Sequence, residues 1–342
     1  MNDSIITRTA AIDNNQINQN WKNELANAIS SPLELLRLLD LQETPLAQQL
    51  DASPDFRLRV PRGFVAKMKK GDLDDPLLKQ VLPLAEENIE LPGYLSDPVG
   101  DLASEVVPGV LHKYQGRALL VTTGACGIHC RYCFRRHFPY GESNPSTGQW
   151  QQALDYIRET SSINEVILSG GDPLSLTDQK LANLVAEIDQ IQHIKRLRIH
   201  TRMPIILPER IDDQLLNWIS STRLKTIMVI HANHANELDG KVRSAMTELE
   251  QRGVTLLNQS VLLHGVNDSV ESLVALSEKL FDAGVLPYYL HLLDPVRGAA
   301  HFDVDRDLAI ELMSKIRDQL PGYMVPKLVW EKPGADSKIT II

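Results

Sequence analysis

From Arg117 onward, short β-branched apolar runs alternate with longer amphipathic ones. The short runs are RALLVTT (117–123), EVILSG (165–170), RLRIHT (196–201), TIMVIH (226–231), TLLNQSVLL (255–263) and LPYYLHLL (286–293). Each has the length and residue types of a strand. Between them lie WQQALDYIRET, QKLANLVAEIDQI, QLLNWISS, KVRSAMTELEQRG and VESLVALSEKLFDAG, whose apolar residues recur at helical spacing. Repeated strand–helix units predict a parallel sheet with helices outside it. Six units in one run predict an α/β fold of the partial (β/α)6 TIM-barrel type, open rather than closed by eight strands.

The flanks read differently. Within 21–90, NWKNELANAISSPLELLRLLDL and DDPLLKQVLPLAEEN read as helical pieces among irregular chain. Residues 91–113, LPGYLSDPVGDLASEVVPGVLHK, read as a Pro/Gly connector. The last stretch, AIELMSKIRDQLPGYMVPKLVWEKPGADSKITII, gives one helix and one or two strands, with ITII a candidate short strand. The expected organisation is an N-terminal helical region and connector (1–113), a partial barrel (114–300) and a C-terminal segment (301–342) closing the barrel mouth.

Composition narrows the class. With 342 residues, 43% of them hydrophobic, the chain can bury a large core. A net charge of −9 argues against wholesale nucleic-acid binding. The N-terminus lacks the charged-then-apolar design of a signal peptide, and no apolar run approaches a membrane span. Sparse, clustered cysteine fits a reducing cytosol, so a cytoplasmic protein without membrane partners is expected.

The polar and Gly-rich clusters follow the strands: the cysteine loop, SGGDP, HTRMP, HANH, HGVND and LDPVRG. In α/β barrels that rim carries the active site. All three cysteines, Cys126, Cys130 and Cys133, fall within CGIHCRYCF (126–134). Three thiolates at C-x3-C-x2-C can hold three irons of a 4Fe–4S cluster and leave the fourth open. A structural zinc site normally fills four positions, which would need His129 or His137 here. Three unconnected buried thiols are the blandest alternative.

C-x3-C-x2-C with Tyr132 before the last cysteine, one strand ahead of Ser169-Gly170-Gly171-Asp172-Pro173, resembles the radical S-adenosylmethionine (SAM) superfamily. There the open iron chelates SAM, and reduction yields a 5′-deoxyadenosyl radical. The two glycines would let backbone approach the SAM amino group. CRYCFRRHF (130–138), LSGGDPL, RIHTRMPIILPERI (198–211), HANHANE (231–237), NQSVLLHGVND (258–268) and PGADSK (333–338) together resemble the lysine 2,3-aminomutase family. DLDDPLLKQVLP (72–83) and VPGVLHKYQGR (107–117) extend the match over most of 60–342. Length and the cysteine count point to its short proteobacterial branch, which makes (R)-β-lysine for elongation factor P. That branch lacks the C-terminal extension and extra zinc-binding cysteines of the clostridial enzymes.

The resemblance implies a second cofactor, pyridoxal phosphate (PLP), on a lysine in a C-terminal turn. Lys338 matches it, with Lys332 the runner-up. Arg117, with Tyr114 and Lys113 beside it, matches the phosphate site, and Arg135 the partner of the substrate carboxylate. Asp294 and Glu331 match the two acids that meet the substrate's distal ammonium, although Glu331 is Glu where the family has Asp. Ser169, Gly170, Gly171, Asp172, His231 and Gln259 match residues near SAM, whereas His234, Asn258 and Arg202 stay outside the catalytic set. Implied partners are free L-lysine, a reductant such as flavodoxin, elongation factor P and its lysyl ligase. Two acids favour lysine over glutamate as substrate. An iron–sulfur electron carrier or a zinc-binding scaffold are the readings from other classes.

Overall fold

The computed structural model of the chain describes residues 20–51, 54–143 and 150–341. The N-terminal stretch read for a leader lies almost wholly outside them, since 1–19 are not described. One ten-stranded sheet runs in chain order. Its strands are β1 (Glu105–Val107), β2 (Val110–Tyr114), β3 (Arg117–Thr123), β4 (Glu165–Gly170), β5 (Arg196–Thr201), β6 (Lys225–His231), β7 (Thr255–Val261), β8 (Leu286–His291), β9 (Lys327–Trp330) and β10 (Ile339–Thr340). β3 to β9 pair in parallel, and β1, β2 and β10 extend the sheet antiparallel at its two ends. β1 and β10 are the ends of the strand order, so the barrel is open.

Helices Trp150–Glu159, Asp178–Asp189, Asp213–Ser220, Gly240–Gln251, Val270–Asp282 and Arg306–Gln319 each follow one strand from β3 to β8. The six expected units are all present. Side chains cap several of these helices at the rim. Asp212 accepts from Leu215 N, Asp239 from Val242 N, and Asp305 from Asp307 N and Leu308 N. Each such cap is worth about 1 kcal/mol and fixes where the loop becomes helix.

The strand period of two sorts the side chains. On β5, Leu197 and Ile199 are fully buried in the main apolar cluster, while Arg198 and His200 line the barrel cavity. On β7, Leu256 packs outward and Gln259 and Val261 face the cavity. β4 is buried along its whole length, as a strand covered on both faces must be.

Two features depart from the expected organisation. The connector 91–113 is not merely a link, because β1 and β2 form a hairpin on the edge of β3. A boundary after 113 therefore falls inside β2. The tail also belongs to the sheet, since β9 adds to β8 and β10 folds back on β9, pairing Ile339 with Trp330 and Thr340 with Val329. Ile341 N donates to Leu328 O at 2.9 Å and fastens the end of the tail. Glu331 and Lys338 thus sit in the loop of a hairpin. No helix of the described residues is long and apolar enough to cross a membrane.

Candidate active site

A cavity of about 280 Å³ runs from the rim into the barrel. Cys126, Cys130 and Cys133 line it at the rim, just past β3. All three are free thiols. Burial pushes the Cys133 thiol up to about 11. Among the described residues, no three His, Cys, Asp or Glu side chains are grouped to hold a single metal ion. The thiolates of a 4Fe–4S cluster each bind a separate iron, so they need not be grouped around one ion. His129 and His137 do not line the cavity, and each has a ring nitrogen on a backbone carbonyl, of Arg57 and of Arg297. The residues present fit a cluster better than zinc.

The SGGDP turn packs directly on the cysteine loop. Gly171 N donates to Thr123 O at 2.6 Å and Asp172 N to Ala125 O at 2.8 Å. Gly170 has φ +116°, and a Cβ there would meet Thr123 O at 2.6 Å. A Cβ on Gly171 would collide with Ala125 O and lie 2.8 Å from Gly124 C. Both glycines are thus required by the backbone of the cysteine loop. Gly171→Ala is expected to displace that loop, at a cost of about 1–3 kcal/mol for overpacking. Iron content after anaerobic reconstitution should fall several-fold; full occupancy in the variant would show that the turn does not shape the thiol loop.

The Asp172 carboxylate is occupied within the protein. It accepts from Thr201 Oγ1 (2.7 Å), Arg202 N (2.7 Å), Leu174 N (3.0 Å) and Met203 N (3.2 Å). Burial still raises it to about 6. It ties the β4 loop to the β5 loop. Arg202, buried, donates from Nη1 to Cys130 Sγ and to Tyr132 Oη, both at 2.7 Å. Its Nη2 donates to Gln80 (2.6 Å) and Glu237 (2.9 Å). His231 Nε2 lies 2.9 Å from Tyr132 Oη, with the rings stacked at 5.6 Å. Burial, then the Arg202 charge, lowers His231 to about 3, so the imidazole is neutral.

Deeper in, charged groups form a chain. Arg135 Nη1 donates to Ser169 Oγ (3.1 Å) and its Nε to Asp101 Oδ2 (2.7 Å). Lys113 Nζ pairs with Asp101 Oδ1 (2.6 Å) and Glu331 Oε1 (3.0 Å). Tyr114 Oη donates to the same Glu331 oxygen (3.4 Å), and Lys338 Nζ to the other. Burial alone would raise Glu331, but the Lys338 and Lys113 charges outweigh it and hold the carboxyl at about 2. Asp294 differs: it is half-buried, and its Oδ1 is sealed from solvent with no hydrogen-bond partner. Burial, then the Glu331 charge, raises it to about 7. A carboxylate oxygen sealed and unpaired on a cavity wall is suited to a cationic partner.

At the inner end, Arg117 lies over the Tyr114 ring at 4.2 Å, with no carboxylate partner among the described residues. Arg198, His200, Tyr288, Tyr289 and His291 complete this part of the lining. The Nε2 atoms of His200 and His291 are sealed from solvent and unpartnered, and burial pulls both imidazoles well below their usual range. An unpaired guanidinium and the Lys338 amine on one cavity fit a phosphate-bearing aldehyde such as PLP. Lys332 is exposed and does not line the cavity.

Residues 120–222 match the radical SAM superfamily. The L-lysine 2,3-aminomutase of Escherichia coli (strain K12) is 49% identical over 321 residues, covering 94% of this chain and 94% of that protein. The L-lysine 2,3-aminomutase of Haemophilus influenzae is 48% identical, covering 94% of this chain and 95% of that protein. That of Clostridium subterminale is 33% identical, covering 94% of this chain but 77% of its own length. The chain belongs to the lysine 2,3-aminomutase family.

Every site residue expected from the sequence of this aminomutase-family chain lines the one cavity. His234 does not, and the Asn258 side chain is bound to Ala232 and Ser260. Sequence reasoning missed four residues that line the cavity, Asp101, Arg198, His200 and His291, and left a fifth, Arg202, outside the catalytic set. Arg198 and His200 carried a signal, as alternate polar positions within the apolar β5. Asp101, in a stretch read as a connector, carried none. Lys113 was placed beside the phosphate site, but its ammonium is held by Asp101 and Glu331.

Proposed function

We propose that the chain isomerises L-lysine to β-lysine, moving the amino group from Cα to Cβ. The observation that carries this is the placement of Asp294, whose Oδ1 is sealed and unpartnered, on the same cavity as the three-thiol loop. Cys126, Cys130 and Cys133 would hold a 4Fe–4S cluster, with SAM on its open iron beside Ser169, Gly170, Gly171, Asp172, His231 and Gln259. A cluster held there would supply the electron for reductive cleavage of SAM. Lys338 would hold PLP covalently, with Arg117 and Tyr114 at its phosphate. Bound there, PLP would supply a conjugated system able to delocalise an unpaired electron.

The protein's own contribution is orientation and exclusion of water. Arg135, held at Nε and Nη1, presents the rest of its guanidinium to the substrate carboxylate. Asp294 and Glu331 would receive the distal ammonium. Neutral His231 keeps Tyr132 fixed against Arg202, and Arg202 steadies Cys130. The tail hairpin, through Glu331 and Lys338, supplies one wall of the cavity.

The (R) configuration of the product, cytoplasmic location, a flavodoxin-type reductant and supply of β-lysine to the ligase acting on elongation factor P complete the proposal. These rest on the resemblance to the short branch of the family. The test is anaerobic reconstitution with iron, sulfide, SAM, PLP and L-lysine, followed by chiral chromatography. (R)-β-lysine is the expected product; isomerisation of glutamate with lysine untouched would replace this reading. Mass spectrometry of elongation factor P from a strain lacking the chain tests the link, since unmodified protein is expected there.

Asp294 also predicts a pH dependence. Its ionised form is the one that binds an ammonium. Its value of about 7 means that acidification protonates it before substrate arrives. The KM for lysine should therefore rise by roughly tenfold per pH unit below about 7. Removing one partner of a desolvated charge pair costs about 2–5 kcal/mol, so Asp294→Asn should weaken lysine use roughly 30-fold or more. The variant should also lose the pH dependence while retaining iron and PLP. Unchanged lysine kinetics in both Asp294→Asn and Glu331→Gln would refute the ammonium pocket.

A further inference from the structure

The loop before β1 carries a buried acid with no part in the reaction proposed above. Asp101 Oδ2 accepts from Arg135 Nε at 2.7 Å, and its Oδ1 pairs with Lys113 Nζ at 2.6 Å. Its side chain is 3% exposed, so water competes little with either pair. Lys113 carries the link to Glu331 at 3.0 Å, and Arg135 carries it to Ser169 at 3.1 Å. Charge-assisted bonds of this kind are directional as well as strong.

The loop itself is braced. Asp101 N and Leu102 N donate to the two Asp97 carboxylate oxygens at 2.9 and 3.0 Å. Lys113 Nζ also donates to Val99 O at 2.9 Å. Upstream, Leu95 N donates to Pro295 O at 2.8 Å and Arg297 N to Leu95 O at 3.0 Å, joining this segment to the residues that follow Asp294. One stretch of chain therefore touches the settings of Arg135, Glu331 and Asp294 together.

We infer that Asp101 is a positioning residue that sets the span between Arg135 and Glu331, and thereby selects the length of a linear diamino acid. This rests on the roles proposed above for those two residues at the substrate's carboxylate and distal ammonium. Without the carboxylate, Arg135 retains Ser169 and its stack on Phe134 at 4.8 Å, and Lys113 retains Glu331, but nothing joins the two. Each end can then shift, and a substrate of the wrong length is rejected less strongly. One methylene in a well-shaped site is worth about 10- to 200-fold, which leaves room for a measurable change.

The test compares wild-type holoenzyme with Asp101→Asn and Asp101→Glu. Iron and PLP content, the KM and kcat for L-lysine, and the inhibition constant of L-ornithine are measured for each. Ornithine is one methylene shorter and is scored as a competitor, so its turnover is not needed. Both variants should retain iron and PLP. The lysine KM should rise about tenfold with kcat changed less than about threefold, and the preference for lysine over ornithine should narrow at least about fivefold. Parallel weakening of both ligands, with the preference at its wild-type value, would overturn the inference. So would loss of both cofactors from both variants, which would make Asp101 a folding residue. A fully loaded wild-type enzyme that leaves lysine unchanged would sink the substrate reading itself, and with it this inference.

Discussion

Replacing Cys126, Cys130 or Cys133 by alanine, one at a time, is expected to abolish both the iron–sulfur absorbance and the reductive cleavage of SAM. The chain has three cysteines, and all three line the cavity, so no spare thiol exists. Neighbouring groups make poor substitutes. The Asp172 carboxylate is bound by four donors, and His231 is hydrogen-bonded and stacked to Tyr132. Arg202, bound to Cys130, brings a positive charge that disfavours any new cation once that sulfur is gone. Iron and sulfide per chain, and 5′-deoxyadenosine formed after chemical reduction, are the measurements. Wild-type iron with normal SAM cleavage in any one of the three variants would disprove the three-thiolate assignment.

Lys338→Ala is expected to lose covalent PLP and all isomerase activity while keeping full iron and sulfide. The two cofactor sites draw on different elements, the loop after β3 and the β9–β10 hairpin, so one can fail without the other. Glu331 would keep Lys113 and Tyr114, which leaves the hairpin loop partly anchored. Deleting 339–342 tests the support rather than the amine. It removes the β10 pairing and the Ile341 N to Leu328 O bond, so PLP retention should weaken although Lys338 remains. Borohydride reduction and peptide mapping read the outcome directly. A pyridoxyl label on Lys332 or Lys327, with Lys338 unmodified, would move the cofactor and overturn the reading of the tail.

The strands were legible to within two residues because their signals are local. A β-branched run closed by Gly, Pro or Asn reads the same before and after folding, and β3, β4 and β5 begin and end as the residue pattern predicts. The missed hairpin shows the limit. EVVPGVLHK carries Pro and Gly at its turn, which weighs towards loop, and the β1–β2 hairpin joins the sheet only where β2 pairs with the edge of β3.

By itself, the sequence determined which groups are available: three thiols in one loop, a glycine turn one strand later, two acids and a lysine near the end, and an order of elements that sends each to the same rim. Those properties follow from residue type and short-range spacing. Tertiary structure alone decided which of these groups are spent on each other. Asp101 and Arg135 are 34 residues apart in sequence, Lys113 and Glu331 are 218 apart, and Asp172 meets Arg202 across 30. No periodicity encodes such pairs, because each forms only when the sheet brings distant loops together in a medium that water cannot screen. The same holds for Gly171, whose need for a missing Cβ comes from the carbonyl of Ala125 in another loop. It holds for Asp294, whose elevated value of about 7 is a property of burial beside Glu331 rather than of an aspartate before a proline.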